Sequence, residues 1–224
     1  KADAQIVGMW CVPKYSNPTG VTYSDDTVDR IAQLANIANP QFRVFWDNAY
    51  AVHDLSATPA QLKPIMDSCR EFATEDSVIQ FASTSQITHA GAGIAFMAGS
   101  AANIKGIKAV LGTSTIGPDK VNQLRHLRML PNLEALHAHM NKHAAIITPR
   151  FSSVLSNLDS AFSNSDLGVW EKPEGGYFIS FDTRPNCEKA VVKLAAEAGV
   201  KLTPAGATFP YGNDPEDRNI RIAP

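Results

Sequence analysis

Residues 5–20 read QIVGMWCVPKYSNPTG, and this stretch decides the fold class. The apolar run from Gln5 to Val12, closed by Pro13, has the pattern of a strand buried on both faces, as in a parallel sheet. It passes directly into a polar turn, Tyr15-Ser16-Asn17-Pro18-Thr19-Gly20, at the carboxyl end of that strand. Downstream, Ser24 is placed to cap a helix with Asp25 and Asp26 in its first turn, and Val28, Ile31, Leu34 and Ala35 follow at helical spacing. Arg43 to Trp46 reads as a second strand ending at Asp47, Pro64 to Ala73 as a helix, and Val78 to Ala82 as a third strand. Gly93 to Met97 is a fourth apolar run, followed by a helix from Ala101 to Leu111. Strands and helices alternating at this spacing predict an α/β domain with a parallel or mixed sheet.

The pattern changes near Gly112. From Asp119, the residues Val121, Leu124 and Leu127 define a helix that Pro131 interrupts, and Leu133, Leu136, Met140, Ala144, Ile147, Phe151, Val154 and Leu158 continue the stripe as one long helix, with a kink expected at Pro149. Strands are expected at Val169–Glu171 and Gly176–Phe181, a helix from Cys187 to Ala198 and a further strand near Lys201, a βαβ-like arrangement. The expected organisation is a larger domain over residues 1–141 and, over residues 142–224, the long linking helix with a smaller α/β domain.

The 224 residues are 44% hydrophobic and 19% charged, which is enough apolar material for a core and excludes intrinsic disorder. A formal net charge of -2 without a basic run disfavours nucleic acid as a partner. No apolar stretch approaches the roughly 20 residues of a membrane-spanning helix, so no membrane partner is expected. Cys11, Cys69 and Cys187 are odd in number and far apart, neither a disulfide framework nor a metal-binding pattern, which fits a reducing, cytoplasmic setting. The chain starts at Lys1 almost in an apolar run and stops at Pro224 just after another, as expected of a piece of a longer protein.

Ligands of open α/β sheets bind beyond the carboxyl ends of the strands. Three polar clusters fall at such ends: Tyr15 to Gly20, Asp47-Asn48-Ala49-Tyr50, and Ser83-Thr84-Ser85-Gln86. Each alone is explained by turn chemistry. Their order, together with Gly175-Gly176-Tyr177-Phe178 and the final Ile220-Arg221-Ile222, resembles the fold-type I, pyridoxal-phosphate-dependent class I/II aminotransferases. The resemblance spans essentially the whole chain and is greatest to the bacterial aspartate aminotransferase subgroup with a Ser-Thr-Ser-Lys loop.

That resemblance implies a fold-type I large-domain remnant, with the residues that grip the cofactor phosphate and stack on its ring lying partly in a region that this chain lacks, and it implies a homodimer. It assigns roles that make physical sense. Asp47 would keep the pyridine nitrogen of pyridoxal phosphate protonated. Tyr50 and Asn17 would hydrogen-bond its phenolic oxygen, and Ser83 and Ser85 would donate to its phosphate. Asn17 would also lie against the substrate, whose α-carboxylate Arg221 would take with a bidentate fork.

The sequence departs from the pattern where it matters most. Gln86 occupies the position of the Schiff-base lysine, and an amide nitrogen is neither a nucleophilic amine nor a proton shuttle. Ile94 stands where many relatives carry a phosphate-binding arginine. Lys14, Lys105 and Lys108 are the nearest substitute amines in sequence, with Lys14 expected at the surface, and His89 is a displaced candidate base. Gly112 to Gly117 imitates a phosphate loop but has Pro118 at the lysine position, and Gly91-Ala92-Gly93 precedes a strand, the wrong context for a dinucleotide fingerprint. His139 and His143 have metal-ligand spacing without a third ligand and are expected on a solvated helix face.

The function expected from this combination is transfer of an amino group between an acidic amino acid and a 2-oxo acid, impaired in this copy by Gln86. The alternatives are a non-catalytic binding or sensor module and a lysine-independent lyase or dehydratase of the same fold.

Overall fold

The computed structural model describes Asp3 and residues 5–224; Lys1, where the larger domain is expected to begin, lies outside the described residues. The chain forms two compact units. The first comprises Lys1–Lys14, Thr22–Ala51 and Gln61–His139, and the second Tyr15–Val21, Val52–Ala60 and Met140–Pro224. Two short segments of the amino-terminal half therefore group with the carboxyl-terminal unit.

The first unit is built on a four-stranded sheet, β1 (Gly8–Cys11), β2 (Arg43–Asp47), β3 (Val78–Ser83) and β4 (Ala95–Gly99), in spatial order β1-β2-β3-β4. β1, β2 and β3 run parallel, and β4 returns antiparallel, so the sheet is mixed. Helix α1 (Asp25–Ala32) is capped by Ser24, whose hydroxyl accepts the Thr27 N–H, and carries Asp25 and Asp26 in its first turn. A short α2 (Leu34–Ile37) follows, and α3 (Ile65–Phe72) ends at Ala73 in the left-handed conformation. Val28, Ile31 and Ala32 of α1 and Ile65 and Cys69 of α3 form one buried cluster with Cys11, Val44, Trp46 and Val78 of the sheet. Asp29 on α1 accepts from both Lys63 and Ser68 at 2.6 Å, adding a polar tie between the two helices. Burial pushes the Cys11 thiol up to about 11 against a lowering hydrogen bond from Tyr23, which fits the expected role of a small core residue.

Only one face of β1 belongs to that core. Cys11 is buried, but Trp10 is 62% exposed and Ile6 and Val7 precede the strand in exposed positions. The expected burial on both faces is therefore overturned. The helices cover the face carrying Cys11, Val44 and Trp46, whereas the other face carries a stack of Trp10, Phe45 and Phe81 with centroids 5.5 to 6.0 Å apart. Helices α4 (Ala101–Ser114) and α5 (Lys120–Met129) complete this unit, and the boundary between the units falls within α6 (Leu133–Phe162), which contains Pro149.

The second unit holds a three-stranded sheet of β5 (Gly168–Trp170), β6 (Ile179–Thr183) and β7 (Asn219–Ile222), with α7 (Glu188–Glu197) between the last two strands. Every pairing in it is antiparallel. This corrects two expectations: among the described residues of this unit there is no βαβ crossover, and Lys201 lies in coil. The third strand is Asn219–Ile222, whose backbone pairs with β6 from Ile179 to Asp182.

Glu188, in the first turn of α7, is only 2% exposed; one carboxylate oxygen accepts the Gly206 N–H at 2.8 Å and the other is buried without a hydrogen-bond partner among the described residues. Burial raises its pKa, Asp214 and Asp217 raise it further, and the Gly206 N–H and Lys189 act in the opposite direction. Below the ordinary value of 4.5 the group is protonated both folded and unfolded. As pH rises above that value the unfolded chain releases the proton first, so the folded state binds more protons and stability falls. Glu188→Gln removes this contribution. Its melting temperature relative to the parent is expected to increase from about pH 4 to about pH 7; a difference that stays flat across that range would contradict the account.

Candidate active site

In the first unit the chemistry collects at the carboxyl ends of the parallel strands. Asp47 closes β2 and pairs across the ladder with Phe81, and the N–H of Asn48 donates to the Phe81 carbonyl at 2.8 Å. Ser83 lies two residues beyond Phe81 on the same strand, so Asp47 and Ser83 share one face of the sheet. Trp10 lies on this face too, and its indole N–H donates to Asp47 Oδ2 at 3.2 Å. Tyr50 follows in the turn after β2 and is buried.

The Ser83 and Ser85 hydroxyls meet at 2.7 Å, and the Ser85 N–H reaches Ser83 Oγ at 3.4 Å. Gln86 is exposed in the turn that follows, as is His89. Lys105 and Lys108 are also exposed, on α4. Lys14 departs from expectation: it is 8% exposed, and its ammonium donates to the Ala51 carbonyl at 3.2 Å. It is a buried tie between the loops after β1 and β2, because the carbonyl offers it an acceptor that a surface lysine would find in water. His139 is likewise not simply solvated, since its Nε2 meets the Ile87 carbonyl at 2.7 Å.

In the second unit Asn17 and Arg221 come together across 204 residues of sequence: the Arg221 Nη1 donates to Asn17 Oδ1 at 2.8 Å. The guanidinium lies 4.6 Å from the centroid of Phe178, and its Nε is buried without a hydrogen-bond partner among the described residues. The stack and the amide hold the planar fork in one orientation. The Asn17 turn is itself fixed by Tyr15, whose hydroxyl donates to Asp54 at 2.6 Å; burial, then the Asp54 carboxylate, push that phenol well above its ordinary value.

Residue types and order locate Asn17, Asp47, Tyr50, Ser83, Ser85, Gln86 and Arg221. They do not single out Trp10 as a partner of Asp47, because a continuous apolar run reads as buried on both faces. The usable signal is the alternation of a strand, in which neighbouring residues face opposite ways: with Cys11 in the core, Trp10 must point to the other face. His126 also escapes a reading of the sequence. It is a buried residue of α5 whose Nε2 lies 2.9 Å from the Thr84 hydroxyl and 2.8 Å from that of Thr88, and no local signal marks that contact.

The fold is that of known aminotransferases. A crystal structure of an aspartate transaminase from Corynebacterium glutamicum superposes with a TM-score of 0.94 at 44% identity, over 99% of this chain and 52% of that one. At 24% identity, Pyrococcus horikoshii kynurenine aminotransferase, solved with PMP, shares the fold with a TM-score of 0.79 over 96% of this chain and 50% of that one. Residues 1–224 match the family described as aspartate amino-transferase, and the chain belongs to that family. A curated aspartate aminotransferase of C. glutamicum is 44% identical over 220 residues, 98% of this chain and 51% of that protein. The chain spans about half the length of the relatives it matches.

Proposed function

We propose that this chain serves the pyridoxal-phosphate-dependent transfer of an amino group between an acidic amino acid and a 2-oxo acid, and that Gln86 severely impairs this copy. The observation that carries the reading is the placement of Asp47 and Ser83 on one face at the carboxyl ends of adjacent parallel strands, with Gln86 in the turn just beyond.

The donor set fits the cofactor without its covalent anchor. The paired Ser83 and Ser85 hydroxyls suit a phosphate, and the Asp47 carboxylate, steadied at one oxygen by Trp10, suits a protonated ring nitrogen. Bound there, the pyridinium ring supplies a sink for the electron pair left at the substrate α-carbon. Asp47 would hold the proton on the ring nitrogen. By the family resemblance, Tyr50 would hydrogen-bond the phenolic oxygen, a role the resemblance also assigns to Asn17, whose Oδ1 accepts from Arg221 and whose Nδ2 is the donor. Arg221 would bind the substrate α-carboxylate through its fork. Gln86 neither bonds to the cofactor nor moves the α-proton. A homodimer belongs to the same reading and is supported by the exposed apolar side chains Val121, Leu124, Leu127 and Met129 of α5.

A second reading, a binding module without turnover, is favoured by Gln86 itself. Titration with pyridoxal phosphate, followed by absorbance, tests the shared premise. Reversible binding without a borohydride-trapped adduct at residue 86 is expected. Asp47→Ala removes a charge-assisted contact of roughly 1.5–3 kcal/mol and should weaken binding by about 10- to 100-fold. Binding unaffected by that substitution would reject the Asp47 assignment.

A further inference from the structure

We infer that His126, acting through Thr84 and Thr88, is a positioning residue for the phosphate-binding hydroxyls of Ser83 and Ser85, an inference that rests on the proposed role of those serines. Thr84 lies between them in sequence, but its side chain is turned to a different set of partners. Its hydroxyl accepts the Ile94 N–H at 2.8 Å and lies 2.9 Å from His126 Nε2, while its own N–H donates to the Ile94 carbonyl at 2.9 Å. Thr88 places its hydroxyl 2.8 Å from the same Nε2 and 3.2 Å from the Thr84 carbonyl.

The ring orientation is set from behind. His126 Nδ1 faces the Asn122 carbonyl at 2.9 Å, which fixes a proton on Nδ1 and, in the neutral ring, leaves the single Nε2 lone pair to accept from one threonine hydroxyl at a time, that of Thr84 when Thr88 donates to the Thr84 carbonyl. The Asn122 side chain donates to the Ala92 carbonyl at 2.9 Å, so α5 grips both limbs of the 84–94 loop with residues one turn apart. The limbs are pressed together at Gly93, where a Cβ would come within 2.8 Å of Ser85 Cα. His126 is 8% exposed. A buried imidazole facing two hydroxyls and a carbonyl contributes direction as well as packing, and the segment it directs is the one that presents the Ser83–Ser85 pair.

The test is titration of the full chain with pyridoxal phosphate and, separately, with pyridoxal, which lacks the phosphate, alongside hydrogen exchange at the Ile94 amide. His126→Ala and the near-isosteric Thr84→Val should weaken pyridoxal phosphate by about tenfold, the equivalent of roughly one hydrogen bond, and leave pyridoxal unchanged. Thr84→Ser, which keeps the hydroxyl, should restore the preference, and Ile94 exchange should quicken in the first two variants only. Faster Ile94 exchange with an unchanged phosphate preference would overturn the inference, as would a parallel loss of both ligands. Equal affinity for the two ligands in the parent chain would instead reject the phosphate role of the serines, a separate result.

Discussion

Gln86→Lys is expected to give this chain a covalent bond to pyridoxal phosphate that borohydride traps at residue 86, and with it a transaminase activity well above that of the parent. The physical case rests on one functional group. An amide nitrogen has its lone pair delocalised into the carbonyl, so Gln86 neither adds to an aldehyde nor accepts and returns a proton. A lysine amine does both, and a positioned general acid–base group contributes about 10²- to 10⁴-fold to such a reaction. Position 86 is exposed in the turn after β3, so the longer side chain enters without displacing core atoms. The noncovalent contacts proposed for Asp47, Tyr50, Asn17 and the serines do not involve this residue, so the parent is expected to hold the cofactor more weakly rather than lose it. Peptide mapping after reduction, with turnover of aspartate and a 2-oxo acid, reads both effects. Turnover by the Gln86 chain as fast as by Gln86→Lys would show that another group supplies the base.

Gly175→Ala is expected to destabilise the second unit by about 3 kcal/mol, at the upper end of the cost of forcing an extra carbon into a packed site. A Cβ at this position would lie 2.2 Å from Tyr15 Cε2 and 2.5 Å from the His53 carbonyl oxygen. Neither neighbour yields easily. Tyr15 is buried and anchored by its hydroxyl to Asp54, Asp54 bridges to Gly175, and the Gly176 N–H donates to the His53 carbonyl at 2.8 Å. Because Tyr15 precedes Asn17 by two residues, its displacement should also disturb the hydrogen bond from Arg221. The control is Gly106→Ala in α4, where nothing lies within 4 Å of the added carbon and helix propensity predicts a gain of about 1 kcal/mol. Thermal unfolding distinguishes them: the two substitutions should move the melting temperature in opposite directions, and a Gly175→Ala protein as stable as the parent would refute the packing account.

The strands that begin at Arg43 and Val78 were legible because a run of apolar residues bounded by turn chemistry is a local property of the chain. So was the order in which the candidate site residues follow the strand ends. Direction of pairing was less legible. Nothing in Gly93 to Met97 distinguishes a parallel from an antiparallel strand, and nothing near Lys201 says that the small sheet takes Asn219–Ile222 as its third member.

Residue order alone settles which side-chain types stand at which strand ends, including the amide of Gln86 just beyond β3. Which of them touch is settled by packing: Trp10 with Asp47, Lys14 with the Ala51 carbonyl, His126 with Thr84, and Arg221 with Asn17. The reason is physical. Strand and helix periodicity are set by neighbouring residues, whereas a hydrogen bond between side chains 37 to 204 positions apart depends on the packing that brings their elements together, and many polar residues of the chain could have met the same partners.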